Sequence, residues 1–319
     1  MSEPQLGASQ VGTGAAPADP QPTGKDAAGT APVERVGSLG SDAWRDLRRS
    51  PLFLVSAVII LVMLLMSLWP GLFTNVDPQA ADLSQSNLGP SSAHWFGTDV
   101  QGHDVLARCI YGARYSLIVG VLATLGTTLV GVAVGIVAAY YGGWLDALLS
   151  RIADIFLGIP FVLGAIVVLT TFTVSSTVGI VALVIGSLIL LGWPVPTRVM
   201  RSSMMQAKQA DYVVAARSMG AGTRRIIFRH LLPNCLAPTL VYATISLGAF
   251  IGAEATLSYL GIGLHAPVVS WGVMISDAQT YLRTAPFALL FPAGFLSITV
   301  LAFVMLGDAV RQALDPKLR

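Results

Sequence analysis

The chain has little charge. Only 11% of its 319 residues are Asp, Glu, Lys or Arg, and 54% are apolar, whereas a typical soluble domain is about 25% charged. Several apolar runs reach the roughly 17 to 25 residues that cross a bilayer core of about 30 Å. An ordinary soluble protein is therefore excluded, and the composition predicts an all-α integral membrane protein. The net charge is only +2, and no nucleic-acid partner is expected.

The chain also lacks the common signatures of catalysis. It contains no Gly-x-x-x-x-Gly-Lys-[Ser/Thr] phosphate loop, no Gly-x-Ser-x-Gly elbow and no His-Glu-x-x-His pair. We therefore expect no catalytic residue and no ATP site of this type. Its two cysteines, Cys109 and Cys235, are interpreted as small buried residues with no redox or metal role.

The first 40 residues contain no aromatic residue and are rich in Ala, Pro, Gly, Ser and Thr. Such a segment buries too little apolar surface to offset the entropy of ordering, which predicts a disordered cytosolic tail. Residues 41–51 carry Trp44 and Leu47 three positions apart, beside several arginines. This pattern predicts an interfacial helix on the cytosolic surface, and a simple basic flank of the first span is the alternative. The transmembrane domain then occupies residues 52–319.

The apolar runs predict six membrane spans, with both termini on the cytosolic side. The spans are residues 52–69, 117–140, 155–172, 178–193, 237–253 and 287–306. In this topology 16 of the 19 Lys and Arg residues lie inside and three lie outside, as the positive-inside rule requires. An external loop is predicted at residues 70–113, and a cytosolic loop at 196–235 between the fourth and fifth spans.

The cytosolic insert reads as a helix, a bend and a second helix. Asp211 is a predicted N-cap, and Gly220 interrupts the first helix because glycine readily takes positive φ. Thr223 is predicted to cap the second helix, which Pro233 should stop. Basic residues run through the insert: Arg217, Arg224, Arg225 and Arg229.

The insert resembles the cytosolic loop of ABC-importer permeases. The matching residues are Ala215, Ala216, Gly220, Leu232 and Pro233. That loop has the signature Glu-Ala-Ala, three residues, Gly, nine residues, then Ile-x-Leu-Pro. Val214 stands at the Glu position and His230 at the Ile position, so the salt bridge of the family's Glu cannot form here.

Further motifs resemble the C-subunit family of dipeptide and oligopeptide permeases. They are His-Trp-Phe-Gly-Thr-Asp-Val-Gln-Gly-His-Asp at 94–104, Glu-Ala-Thr-Leu-Ser-Tyr-Leu-Gly at 254–261, Ser-Trp-Gly at 270–272, and Gly-Asp-Ala-Val-Arg at 307–311. His103 stands where the family usually has Arg. The resemblance covers residues 48–319, which is nearly everything beyond the tail.

The resemblance implies one transmembrane subunit of an ATP-driven importer in the cell membrane. Its implied partners are a second homologous permease, two ATPase subunits that hold ATP and Mg²⁺, and an external solute-binding protein. The coupling loop to the ATPase would use Asp211, Ala215, Ala216, Arg217, Gly220, Leu232 and Pro233. Di- or oligopeptides are the expected cargo, with glutathione or chelated nickel as alternatives. A self-sufficient channel or ion-coupled carrier is the rival reading.

Acidic residues outside the insert are candidates for a gate or subunit interface. They are Glu254, predicted at the outer end of the fifth span, and Asp99 and Asp104 in the external loop. Charges inside a membrane are costly and often functional, but solvation at the helix end is the alternative for Glu254. The cluster of His94, Asp99, His103 and Asp104 has no tight ligand spacing, and no metal site is predicted.

Overall fold

The computed structural model describes residues 44, 45 and 47–314. The predicted tail, part of the interfacial helix and the last five residues lie outside this range. Every regular element in the described part is helical. The helices are α1 (Pro51–Leu68), α2 (Val105–Tyr141), α3 (Gly143–Gly158), α4 (Phe161–Thr171), α5 (Thr177–Gly192), α6 (Pro194–Ala207), α7 (Asp211–Ser218), α8 (Thr223–Tyr259), α9 (Trp271–Ala278) and α10 (Phe287–Leu314).

Four of these helices, α1, α2, α8 and α10, are long and apolar enough to cross a membrane. Two further pairs reach that length together but are bent, by 88° between α3 and α4 and by 43° between α5 and α6. The described part therefore has four candidate spans, or up to six if each bent pair is one span. The expectation of a single helix over residues 155–172 is wrong. Pro160 follows the break at Gly158, where its ring and missing N–H disfavour helix continuation.

The second predicted span belongs to a much longer helix. α2 begins at Val105, twelve residues before the predicted start of the span, because the Asp104 side chain caps it by accepting a hydrogen bond from the Ala107 N–H at 2.7 Å. The preceding loop consequently ends at residue 104 and not at 113.

α2 is the helix around which much of the bundle packs, and its glycines allow close approach. A Cβ at Gly131 would lie 2.6 Å from the Pro196 ring, and one at Gly135 would lie 2.8 Å from the Thr197 carbonyl oxygen. Small residues four apart let two backbones meet, here those of α2 and α6. The α6 segment that leads into residues 211–233 is thus fixed against the centre of the bundle.

The short segment before α1 packs on the start of that helix. The Ser50 side chain accepts a hydrogen bond from the Phe53 N–H and caps α1. The Trp44 ring lies edge-on to Phe53 at 6.1 Å, and the Arg48 guanidinium lies 4.6 Å from the Trp44 ring. These contacts fix the aromatic and basic side chains of the predicted interfacial helix beside the first apolar helix, although residues 41–43 and Asp46 lie outside the described residues.

Candidate functional site: a basic elbow and two buried polar centres

Residues 211–233, called the elbow below, form a helix, a tight turn and the start of a second helix. The prediction that Asp211 caps α7 is wrong, because Ala210 takes the extended cap position with φ −72° and ψ 145°. Asp211 is the first helical residue, where its carboxylate interacts favourably with the helix dipole. Gly222, with φ −68° and ψ 158°, likewise holds the cap position that was predicted for Thr223.

Gly220 makes the bend, as its residue type predicts. Its φ is +79°, a region that costs other L-residues about 1 kcal/mol or more. The Gly220 N–H donates to the Arg217 carbonyl and the Ala221 N–H to the Ala216 carbonyl, both at 3.0 Å. These two bonds close the end of α7 and turn the chain into α8.

Pro233 does not end the second helix, contrary to the prediction. α8 runs without a break from Thr223 to Tyr259, with a π-helical turn at Ile226–Leu231. Pro233 lies in the first turn of the α-helical part after that turn, where its missing N–H is tolerated. As a result the second helix of the elbow is the start of a membrane-length helix.

One side of the elbow is anchored in the bundle. Val213, Ala216, Ile226 and Leu231 are buried. All of them except Ala216 belong to a cluster that includes Met200, Met204, Ala139 and Cys235. Burying four apolar side chains at about 1.5 to 3 kcal/mol for each large one is enough to hold a short helix that would be unstable alone. The backbone of the elbow is therefore positioned by α2, α6 and α8.

The opposite side of the elbow exposes apolar groups. Met219 is 82% exposed and Phe228 is 61% exposed, and Val214 and Tyr212 are also exposed. An open cavity of about 800 Å³ adjoins Phe228 and is lined by Gly222, Arg224, Arg225, Phe228, Arg229 and Pro233. None of these residues falls in a predicted span, and clustered exposed apolar side chains of this kind mark interaction sites.

The cations of residues 198–229 divide into two groups. Arg198, Arg201 and Lys208 are spaced by three and seven residues, which places them on one face of a helix. The Arg198 guanidinium lies 2.5 Å from the Asp154 carboxylate. The Arg201 guanidinium donates two hydrogen bonds to the Asp146 carboxylate, at 2.5 and 2.7 Å.

Lys208 completes this face. Its ammonium donates to the Tyr140 carbonyl at 2.7 Å and to the Ala139 carbonyl at 3.3 Å, which places a cation at the carboxyl end of α2, where the helix dipole favours positive charge. The first group of cations is thus used within the chain, to hold α6 against α2 and α3. Sequence reasoning missed this use, because the partners lie 44 to 69 residues away.

The second group has no such partners. Arg217, Arg224, Arg225 and Arg229 form no ion pair with any described residue, and Asp211 is the elbow's only acidic residue. The exposed surface of the elbow is therefore both apolar and strongly basic.

Asp99 is the centre of a polar cluster in residues 82–108, called the polar loop below. Its carboxylate accepts hydrogen bonds from the Gln101 and His103 N–H groups at 2.8 and 2.9 Å, and it contacts the His103 ring and the Arg108 guanidinium. Burial raises the pKa of Asp99, but Arg108 and the bonds from His103 outweigh burial and hold that pKa below its usual value. Asp277, 3.6 Å from Arg108, is half-exposed and has its pKa raised by burial.

Asp104 and His94 form a second pair in the polar loop. The His94 Nδ1 lies 2.9 Å from the Asp104 carboxylate, and the His94 Nε2 lies 2.8 Å from Gln85. Asp99 and Asp104 are therefore each paired with an imidazole. Among residues 44, 45 and 47–314, no three His, Cys, Asp or Glu side chains are placed to hold a metal ion.

Glu254 is fully buried, so the alternative of solvation at a helix end is wrong. Three hydroxyls contact its carboxyl group, those of Ser258 at 2.8 Å, Ser270 at 3.0 Å and Ser116 at 3.2 Å. Ser116 belongs to α2, and Ser270 caps α9. Glu254 thereby connects α8 to two other elements.

Each of these serines also accepts a backbone hydrogen bond. The Trp271 N–H donates to Ser116, the Leu264 N–H to Ser258 and the Val273 N–H to Ser270, at 3.2, 2.9 and 3.3 Å. The three hydroxyls donate to the Glu254 carboxyl oxygens, which leaves their lone pairs for these backbone N–H groups. The sequence predicted Glu254 at the outer end of the fifth span, whereas α8 continues five residues beyond it to Tyr259. Nothing in the sequence indicated Ser116, 138 residues away.

The comparison with known families assigns the chain to one of them. The family described as binding-protein-dependent transport system inner membrane component matches residues 131–319, and the N-terminal transmembrane domain of oligopeptide transport permease C matches residues 38–90. The chain belongs to the family of binding-protein-dependent inner membrane transport components, which confirms the resemblance seen in its motifs.

Curated relatives extend along nearly the whole chain. The dipeptide transport system permease protein DppC of Bacillus subtilis (strain 168) is 41% identical over 88% of this chain and 87% of its own length. The protein of that name from Alkalihalophilus pseudofirmus is 38% identical over 87% and 90%. The glutathione transport system permease protein GsiD of Pectobacterium atrosepticum is 35% identical over 91% and 96%.

Solved structures show the same fold at lower identity. A chain of the MetNI methionine ABC transporter in inward-facing conformations matches with a TM-score of 0.54 and 21% identity, over 66% of this chain and 96% of that one. At this identity the match concerns the fold alone, which is that of an ABC transporter permease.

Proposed function

We propose that this chain is one of two permease subunits of an ATP-driven importer of di- or oligopeptides. The peptide cargo is supported by relatives at 37% to 41% identity, which are named as dipeptide or oligopeptide transport permeases. The presence of a glutathione permease at 35% identity makes that small peptide the second candidate. In this proposal each bent pair is one span, giving six. Both termini are cytosolic, because 16 of 19 cations lie inside when they are counted against the spans predicted from the sequence.

The observation that carries the proposal is the elbow's two-sided construction. Its underside is buried, and its outer side presents Met219 and Phe228. A rigid, anchored segment with an exposed apolar face suits docking to a partner. In the proposal two ATPase subunits hold ATP and Mg²⁺, and one of them holds the elbow of this chain, while an external solute-binding protein delivers the cargo.

Transmission would follow from the continuity of α8. Moving a two-state gate from 1:99 to 99:1 requires about 5.5 kcal/mol of differential interaction. Two or three large apolar side chains, buried against the ATPase in one state and exposed in the other, provide about that much. Because α8 starts in the elbow and ends at Tyr259, five residues beyond Glu254, one helix connects the proposed docking site to the buried Glu254 centre.

The test replaces Met219 by Glu and compares the result with Leu83→Glu. Both side chains are highly exposed, Met219 at 82% and Leu83 at 76%, but Leu83 lies in the polar loop. We expect Met219→Glu to abolish peptide uptake and ATPase assembly while the amount of membrane-inserted chain is unchanged, and Leu83→Glu to leave assembly intact. Normal uptake by the Met219→Glu variant would refute the docking role. ATP-independent flux through the reconstituted chain alone would favour a channel or carrier.

A further inference from the structure

The basic outer surface of the elbow sets a requirement on its partner. Arg224, Arg225 and Arg229 line one open cavity together with Phe228, and none of the three arginines has an acidic partner among the described residues. Three cations within six positions repel one another unless they are screened or neutralised. This cavity is the largest concentration of unneutralised charge in the elbow.

We propose that this cavity binds an acidic segment of the ATPase, one that places at least two carboxylates against the arginines and an apolar side chain against Phe228. The inference rests on the proposed function and adds the chemistry of the partner surface. Guanidinium groups form bidentate bonds with carboxylates, and Phe228 would lose its exposure to water in the same contact. Val214 stands where similar permeases have Glu, so no acidic side chain at this position offsets the arginines. The exposed side of the elbow therefore presents positive charge to the ATPase.

Membrane lipid is the other source of negative charge, and distance argues against it. The predicted apolar span of α8 starts at Ala237, which is 12 residues after Arg225 and eight after Arg229. At 1.5 Å per residue, the two arginines stand about 18 Å and 12 Å beyond the hydrocarbon core. The headgroup layer is only about 5 to 8 Å thick on each side, and a tilt of about 20° shortens these heights by less than a tenth. The backbone at both arginines therefore lies outside the headgroup layer, and at Arg225 by more than the length of an arginine side chain, which favours a protein surface as the source of negative charge.

The test measures ATPase binding to the full-length chain and its second permease in nanodiscs of zwitterionic phosphatidylcholine, at 0.1 M and 1 M NaCl. Neutralising the cavity with Arg224→Gln, Arg225→Gln and Arg229→Gln together should weaken binding about tenfold at 0.1 M. The deficit should shrink at 1 M, where the Debye length falls from about 10 Å to about 3 Å. Replacing the same three arginines by Lys should restore most of the binding and its salt dependence, which a folding defect would not allow.

The matched control removes the same number of charges elsewhere, through Arg45→Gln, Arg49→Gln and Arg283→Gln. All three side chains are exposed, and this variant should bind like the wild type at both salt concentrations. If the cavity variant also binds like the wild type at both, or if the control variant weakens binding equally, the acidic-partner proposal is wrong.

Two further arms separate this inference from its alternatives. The difference in thermal stability between phosphatidylcholine and anionic phosphatidylglycerol nanodiscs, measured without ATPase, should be the same for the wild type and the cavity variant. A stabilisation by phosphatidylglycerol that the cavity variant loses would assign the site to lipid and overturn the proposal. Met219→Glu, measured in parallel, tests docking itself. If it abolishes binding while neutral cavity variants bind normally, the elbow docks without an acidic partner, and only the further inference fails.

Discussion

The polar loop and the elbow are both rich in charge, yet they use it in opposite ways. In the polar loop, Asp99, His103 and Arg108 contact one another, and Asp104 contacts His94. In the elbow, four arginines have no ion-pair partner among the described residues while apolar side chains stand exposed. Charges that pair within a region stabilise its fold. Unpaired charges and exposed apolar side chains are instead typical of a surface that binds another molecule. The two sequences are similarly polar, so only the contacts in the folded chain show which charged side chains are paired and which are not.

The largest effect should come from Asp99→Ala, since it leaves the buried Arg108 without its main partner. Removing one member of a buried pair typically costs about 3 to 5 kcal/mol. Asp277→Ala, which removes a half-exposed carboxyl from the same guanidinium, should change stability by less than about 1 kcal/mol. Thermal unfolding of the purified chain can be followed with a thiol-reactive fluorophore, because Cys109 and Cys235 are buried. Equal decreases in unfolding temperature for both variants would show that the Asp99–Arg108 contact does not stabilise the polar loop.

The pH dependence of stability sharpens the same contrast. A carboxyl whose pKa is lowered by folding contributes stability that is present above its unfolded value of about 3.9 and is lost as the pH falls through the folded value. The Asp99 contribution should therefore persist at pH 5. The pKa of Asp277 is raised by burial, so ionisation of Asp277 opposes folding. Stability should therefore decrease as the pH rises through that raised value toward neutrality. In the Asp277→Asn variant this decrease should be smaller. Loss of the Asp99 contribution already at pH 5 would contradict this assignment.

A smaller effect is expected at Glu254. Glu254→Ala removes the acceptor for three buried hydroxyls and leaves a cavity, at a cost of about 3 kcal/mol. Glu254→Gln should cost less, since one amide oxygen still accepts, but its NH₂ group then faces hydroxyls oriented to donate. As a control, Ser276→Ala deletes one exposed bond to the Tyr259 carbonyl and should cost less than about 0.5 kcal/mol. A Glu254→Ala variant as stable as Ser276→Ala would show that this centre does not hold α9.

The smallest effect on stability should be that of Gly220→Ala. The space around a Cβ at Gly220 is open, so only the backbone strain at φ +79° acts, about 1 kcal/mol. Gly222→Ala, with ordinary φ and equally open surroundings, should be nearly neutral or slightly stabilising. Because the strain reshapes the elbow, Gly220→Ala should reduce ATPase binding more than Gly222→Ala does. Equal binding by the two variants would show that the bend is unimportant for docking.

The fold was predictable where one residue type forces one conformation or a long apolar run forces a helix. Gly220 is the first case, and α1, α2, α8 and α10 are the second. Helix ends were predicted poorly: Asp104 starts α2 before the apolar run begins, and Pro233 is accommodated after a π-helical turn that no local pattern indicates.

The site was predictable only in part, for the same reason. The position of the elbow follows from its spacing of small residues, glycine and proline. The division of its cations does not, since the partners of Arg201 and Lys208 lie 55 and 68 residues away. The environment of Glu254 depends on Ser116 and Ser270, and the sequence marks neither of them as its neighbour.

The central claim, that an ATPase covers the outer side of the elbow, is tested most directly by Met219→Cys. The two native cysteines are buried, so a membrane-impermeant maleimide applied to the exposed elbow should label position 219 alone in the native permease. We predict rapid labelling of the permease without its ATPase and strong protection in the assembled complex. With the permease in nanodiscs, where both membrane faces are open to the reagent, a Leu83→Cys control in the polar loop should label equally in both. Unchanged labelling at position 219 in the complex, through every nucleotide state, would contradict the account.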